Sequence, residues 1–238
     1  MTAFGRPRRH FRVTDSTNER ARELAASGAP SGTVVTASEQ TAGRGRRGRP
    51  WLAPTGAALL YSAVLRPLAD DQSLLPLAAP VAACDAIEGV APVECQIKWP
   101  NDIWIDERKV AGILIEARIP DWAVIGVGVN VAGDPGQASP ELRWPATSVG
   151  HGASVDDLRE SLDVALARWV AAGPAEVLSA FRRRDALRGR DVAWHQGAAG
   201  QPMRGVAAGV DDAGNLEVRL PGGERSVLGS GEVSLALR

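Results

Sequence analysis

Lysine is nearly absent from this chain. Of the 27 Lys and Arg side chains in its 238 residues, only Lys98 and Lys109 are lysines. Arginine offers a planar fork, whereas lysine is a compact point charge that can sit against a single oxygen, so both lysines are candidates for a special role. Cysteine is equally scarce. Cys84 and Cys95 give neither a disulfide framework nor a metal-binding spacing, and both read as small buried residues. The three isolated histidines, His10, His151 and His195, lend no support to a zinc site. No apolar run approaches the roughly 18 residues that a membrane-crossing helix needs. The basic stretch 1–10 lacks the apolar segment of a secretory signal. Charges balance to −1, which argues against wholesale electrostatic attachment to nucleic acid or to an anionic membrane. The chain therefore reads as cytoplasmic, with no membrane partner. Its 45% hydrophobic content fits a globular protein with a sizeable core, and its length allows one large domain, or a main domain with a small satellite.

Against this balance, positive charge is concentrated in one place. Gly43-Arg44-Gly45-Arg46-Arg47-Gly48-Arg49 holds four arginines in six residues, with Trp51 just beyond. Three glycines make the backbone adaptable, so the loop suits an anion that is approached closely and then covered: a phosphate, an acyl phosphate or a nucleic-acid backbone. The glycines also spell G-x-G-x-x-G. A dinucleotide fingerprint needs a helix opening at its last glycines, and Pro50 and Pro54 exclude one here. The plainer alternative is a solvated basic loop that only a ligand orders.

Asp15-Ser16-Thr17-Asn18 opens a helical pattern that runs to Ser27, with Gly28 past its end. Ser16 or Thr17 is expected as its N-cap, and the same hydroxyls suit a polar ligand at the helix N-terminus. Residues 33–37 and 57–65 read as strands, and 72–88 as a long apolar helix against the sheet. In 94–102, strand alternation sends Gln96 and Lys98 to one face and Ile97 and Trp99 to the other; Pro100 ends the ladder and Asn101-Asp102 turn. A hairpin follows, with Gly112 in its second strand marking a bulge or a close approach. In 124–131, Ile125, Val127, Val129 and Val131 share a core face. Gly126, Gly128 and Asn130 leave the other face bare, for a flat ligand or a close-packed helix. Residues 155–171 and 174–187 read as helices. Beyond Arg188, recurrent turns and alternating valines predict a small antiparallel barrel or sandwich. The expected domains are 1–187 and 188–238.

Taken in order, these runs resemble the biotin protein ligases of the biotin–acetyl-CoA-carboxylase type. The resemblance rests on Asp15-Ser16-Thr17-Asn18 and on Glu39-Gln40-Thr41-Ala42 leading into the arginine loop and Pro50-Trp51. It continues through Lys98-Trp99-Pro100-Asn101-Asp102-Ile103, Arg108-Lys109-Val110-Ala111-Gly112-Ile113-Leu114-Ile115-Glu116, Gly126-Val127-Gly128-Val129-Asn130-Val131 and Ala146-Thr147-Ser148. Gly231-Glu232-Val233-Ser234-Leu235 is a fainter match to the family's small SH3-like domain. The resemblance implies an α+β fold: a mixed, largely antiparallel sheet with helices, like the class II aminoacyl-tRNA synthetases, and a C-terminal SH3-like β-barrel. It implies an ATP-dependent ligase that forms biotinyl-5′-AMP and transfers biotin to a lysine of the biotin carboxyl carrier protein of acyl-CoA carboxylases. ATP and biotin are then substrates. Mg²⁺ accompanies ATP, although no carboxylate cluster identifies its ligands.

Carried over position by position, Lys98 and Arg46 are the expected catalytic residues. Ser16, Thr17, Asn18 and Gln40 hold the ureido end of biotin. Gly43, Arg44, Gly45 and Arg46 lie along the biotin side of the loop, and Gly112 and Gly128 leave room beneath the ligand. Arg49, Trp51, Asn101, Lys109 and Asn130 belong to the nucleotide side, with Lys98 shared. Only 14 residues precede Asp15, too few for the winged helix-turn-helix that makes some members repressors, so no DNA partner is expected. A monomer and a ligand-dependent homodimer both remain open. Two other readings compete. Lipoate ligases share the general fold, and the arginine loop is what favours biotin. A nucleic-acid module using the loop and Trp51 is physically sensible, but it leaves both lysine runs unexplained.

Overall fold

Two sheets carry the fold of the computed structural model, which describes residues 3–68, 70–138, 145–195, 202–229, 231 and 233–236. The first contains β1 (Arg8–Phe11), β2 (Val34–Ala37), β3 (Ala58–Leu65), β4 (Gln96–Lys98), β5 (Asp102–Ile105), β6 (Arg108–Arg118) and β7 (Trp122–Asn130). Across the sheet the order is β1-β2-β3-β7-β6-β5-β4. β1 and β2 run parallel, and every other neighbouring pair is antiparallel. The second sheet contains β8 (Asp191–His195), β9 (Pro202–Val210), β10 (Leu216–Arg219), β11 (Arg225–Leu228) and β12 (Val233–Leu235), antiparallel throughout in the order β11-β10-β9-β8-β12. The helices are α1 (Thr17–Ala26), α2 (Leu75–Val90), the single turn α3 (Pro135–Ala138), α4 (Val155–Val170) and α5 (Pro174–Arg183).

The alternation in β7 sorts the molecule into two layers. Ile125, Val127 and Val129 are buried in the core shared with α2 and α4. Each such side chain contributes roughly 1.5–3 kcal/mol when fully buried. The opposite face carries Gly126 and Gly128, which β3 meets with Ser62 and Leu60. Here α1 packs through Ala21 and Ala25 on Val35, Val64 and Val124. Small residues on both partners bring α1 close to the sheet, and that closeness sets the depth of the site described below.

Several boundaries differ from the sequence expectations. The long apolar helix begins at Leu75, after a 3₁₀ turn at Asp70–Leu74, because Pro76 falls in its first turn. The stretch Gln72–Val90 is apolar and long enough by composition to cross a membrane, contrary to the expectation that no run approaches that length; it is the core helix, two-thirds buried. The helix expected to reach residue 187 stops at Arg183, since the chain beyond it pairs with Ile97. β1 was not anticipated. It is a largely exposed, arginine-rich edge with no alternation to reveal it.

Candidate functional site

A cavity of about 670 Å³ lies over the glycine face of β6 and β7. Every residue anticipated for the site lines it except Gly43. Gly43 instead lets the loop close on itself. Its carbonyl accepts from Trp51 N–H at 2.9 Å, and a Cβ there would fall 2.5 Å from the Trp51 carbonyl oxygen and 2.7 Å from Gln40 Nε2. The loop contains no helix of the dinucleotide-binding kind. It makes one 3₁₀ turn at Arg46–Gly48, with Arg47 at φ 58° and Gly48 at φ 72°, and is pinned by pairing of Arg44 with Pro50.

One end of the cavity is a buried polar network. Ser16 occupies the N-cap position of α1, as expected, but its hydroxyl makes no capping bond. Asp15 holds this turn instead. Ser16 N–H donates to its carboxylate at 2.6 Å and Arg20 donates to both oxygens; the Arg20 contact holds the Asp15 carboxyl well below the usual carboxylate range. Thr17 donates to Gln40 Oε1 through its backbone N–H at 2.7 Å and through its hydroxyl at 3.0 Å. Ser62 on β3, fully buried, lies 2.8 Å from the Thr17 hydroxyl and 2.6 Å from Asn18 Oδ1. The Thr17 hydroxyl proton is given to Gln40, so both the Thr17 oxygen and the Asn18 amide oxygen face Ser62 as acceptors, and the single Ser62 proton serves the two of them. The Asn18 amide nitrogen donates to Glu116 at 2.8 Å, which fixes the amide's orientation. Glu116 also meets Arg22, which pairs with Glu19, which accepts from Arg44 of the loop. A continuous polar chain therefore links the buried end to the arginine loop.

The other end is cationic. Arg44, Arg46, Arg47, Arg49, Lys98 and Lys109 line the cavity, and among the described residues Asp102 is the one carboxylate that faces them there. Lys98 projects from the end of β4, only 4% exposed, with Ile97 and Trp99 in the core behind it. Its Nζ is 3.8 Å from Asp102 and 5.8 Å from the centre of the Trp104 ring. Lys109 Nζ is 2.6 Å from the other Asp102 oxygen. Arg46 reaches across to Asn101, donating to Oδ1 at 3.1 Å, while Asn101 is fastened to β6 by bonds to Ile113 in both directions. The arginine loop and the Lys98 run thus meet directly. Asn130 is held by its donation to Thr147 O at 3.2 Å.

Between the two ends, the bare strand face is occupied by side chains. A Cβ on Gly126 would lie 2.1 Å from Asn18 Oδ1; one on Gly128 would lie 2.5 Å from Trp51 Cε2, and one on Gly112 would lie 3.2 Å from Trp51 Cζ3. The flat group on this floor is the Trp51 indole, with Lys109 Nζ 5.8 Å from its ring centre; its buried Nε1 makes no hydrogen bond among the described residues. Val233 of β12 and Gly231, two residues before it, also line the cavity. Glu232 of the expected C-terminal match lies outside the described residues.

Sequence reasoning missed Ser62, Glu116, Glu19 and Asp102. A lone polar residue inside the apolar run Leu59–Leu65 marks Ser62 as a candidate. Asp102 is legible as the acid four residues after Lys98. Glu19 and Glu116 carry no local signal, because their partners are distant in the chain.

With this geometry in place, comparison with known proteins is specific. Residues 10–130 match the biotin/lipoate A/B protein ligase family and residues 197–236 the biotin protein ligase C terminal domain. A biotin–[acetyl-CoA-carboxylase] ligase of Paracoccus denitrificans is 38% identical over 240 residues, covering 92% of this chain and 97% of that protein. A ligase of the same description from Mycobacterium tuberculosis is 35% identical over 231 residues, covering 92% and 85%. The structure of a biotin protein ligase from Aquifex aeolicus in complex with biotin and ATP superposes with a TM-score of 0.82 at 26% identity, covering 98% of this chain and 99% of that one.

Proposed function

The chain belongs to the biotin/lipoate A/B protein ligase family, and from that premise we propose that it activates biotin with ATP and transfers it to a carrier protein of acyl-CoA carboxylases. The biotin carboxylate attacks the α-phosphorus of ATP, forming biotinyl-5′-AMP and releasing pyrophosphate. A lysine amine of the carrier then attacks the acyl carbon, and AMP leaves. The first step brings two anions together, so it needs fixed positive charge where their oxygens meet. The observation that carries the reading is the junction of Arg46 with Asn101 beside buried Lys98, in one cavity with the Ser16–Asn18 network.

Lys98 bridges the biotin carboxylate and the α-phosphate. Ser16, Thr17, Asn18 and Gln40 bind the ureido ring. Thr17 and Gln40 already bond to each other, so the ring meets an oriented donor–acceptor set at little cost in side-chain entropy. Arg44, Gly45 and Arg46 cover the tail and the mixed anhydride, keeping water from it. Arg49, Trp51, Asn101, Lys109 and Asn130 take the nucleotide, over the space left by Gly112 and Gly128. The described residues hold no cluster of three acidic, histidine or cysteine side chains for a metal, and Asp102 is engaged by both lysines. Mg²⁺ would accordingly arrive on the phosphates of ATP, with no cage formed among the described residues. The domain division near residue 188 is supported by the gap between α5, ending at Arg183, and β8, beginning at Asp191. A cytoplasmic setting accords with ATP and a carboxylase carrier as substrates.

Exchange of labelled pyrophosphate into ATP tests this reading. Exchange that requires biotin is expected. Exchange supported by lipoate and not by biotin overturns it in favour of a lipoate ligase, and tight, steeply salt-dependent oligonucleotide binding without exchange favours the nucleic-acid reading.

A further inference from the structure

We infer that the second sheet acts on the reaction through one hydrogen bond, from the Trp99 indole N–H to the Gly214 carbonyl, and that Trp99 and Asp211 are positioning residues for Lys98. The inference deepens the reading of the cavity as a biotin-activating site and rests on it. Trp99 follows Lys98 directly in the chain and is 2% exposed. Its Nε1 lies 3.1 Å from Gly214 O, in the turn between β9 and β10. A buried indole N–H needs a partner, and the second sheet supplies it.

The receiving turn is built to hold still. Asp211 Oδ1 accepts from the backbone N–H groups of Ala213 at 2.9 Å and Asn215 at 2.8 Å, and its Oδ2 accepts from Asn215 Nδ2 at 3.0 Å. Arg182 of α5 grips the same turn, donating to Val210 O at 3.0 Å and to Asp212 at 2.8 Å. Gly214, at φ +85°, is seated so closely on α2 that a Cβ would lie 3.1 Å from Leu77 Cδ1.

The strand that presents Lys98 depends on such outside help. β4 has three residues and stands at the edge of the main sheet, paired within it only to β5. Its outer side is held by the chain after α5: Ile97 N–H donates to Arg184 O at 2.7 Å, and Ala186 N–H donates to Ile97 O at 3.0 Å. The Trp99 bond completes this clasp one residue beyond Lys98. Lys98 must place a single ammonium between two reacting anions, and a displacement of about 1 Å at such a point costs on the order of a hundredfold in rate. Val233 of β12, which lines the cavity, gives the same sheet a second point of contact with the site.

The test compares the full chain with Trp99→Phe, Asp211→Ala and Asp211→Asn in biotin-dependent pyrophosphate exchange, with folding followed by circular dichroism. Trp99→Phe and Asp211→Ala are expected to lower kcat roughly ten- to hundredfold, with KM for biotin held within about twofold. Asp211→Asn keeps an oxygen that accepts both backbone N–H groups and is expected to recover most of the rate. An unchanged kcat in either of the first two variants overturns the clasp. So does an Asp211→Asn loss equal to that of Asp211→Ala, or a loss confined to KM. If Trp99→Phe does not fold, the Asp211 pair decides. A wild type without biotin-dependent exchange overturns the functional reading and the clasp with it, whereas an active wild type with unaffected variants overturns the clasp alone.

Discussion

Lys98 carries its charge where water barely reaches, and Asp102 is what makes that tolerable. A buried ammonium is costly unless paired, yet Asp102 sits nearer to Lys109, at 2.6 Å, than to Lys98, at 3.8 Å. Asp102 is thus shared between the two lysines. Lys98→Ala should therefore keep the fold, since Asp102 retains Lys109, and lose the adenylation step by about 10²–10³-fold; pyrophosphate exchange and a melting curve check the two halves of that statement. Lys98→Arg should not restore the rate, because a fork does not reproduce a point charge in so small a space. Arg46→Gly removes the bridge to Asn101 without touching the Ser16–Asn18 network. It should still form biotinyl-5′-AMP but release it, so that lysines of an unrelated bystander protein become biotinylated. A variant that merely binds biotin more weakly, with no labelling of bystanders, would contradict the retention role.

At the scale of elements, β7 decides most. Gly126 accommodates Asn18, and Gly128 accommodates Trp51. Gly126→Ala should push Asn18 off Ser62 and Glu116 and raise KM for biotin at least about tenfold, while Gly128→Ala should displace the indole and act on KM for ATP. Each overpacks a tight contact and should also cost about 1–3 kcal/mol of stability, measurable by denaturant unfolding. β7 was legible in the sequence because period-two alternation of branched and bare residues has few other meanings. What its bare face receives was not legible, since a ligand, a helix and an indole all need the same absence of Cβ. The outcome combined two of these: α1 through Asn18, and Trp51 from the arginine loop. β1 was illegible for the opposite reason, as an exposed edge strand needs no apolar pattern. The candidate residues that line the cavity were legible where chemistry is local to a run, as with Lys98 and Asn101. They were hidden where a partner comes from far along the chain, as with Ser62, whose hydroxyl meets Thr17 from 45 residues away.

At the scale of the whole molecule, the main sheet is tied to α4 by a buried acid. Tyr61 donates to Asp163 at 2.8 Å and Arg159 to its other oxygen at 2.6 Å. Burial raises the Asp163 carboxyl above its usual 3.8, outweighing the lowering by Tyr61 and Arg159. A carboxyl raised in the folded state binds more protons there than in the unfolded chain, so its contribution to stability is largest below 3.8 and falls as pH rises through the folded value. The wild type should accordingly lose stability relative to Asp163→Asn as pH is raised from about 4 toward neutrality, and denaturant midpoints over that range would show it. Scarcity of lysine has its own outcome at this scale. Both lysine side chains stand within the cavity, 5% and 26% exposed, and the latter is locked to Asp102. An activated vitamin that escapes therefore meets an outer surface clothed in guanidinium groups, which do not take up acyl groups as amines do. The catalyst is thereby shielded from self-labelling, and even a leaky variant should mark its neighbours while staying almost unmarked itself.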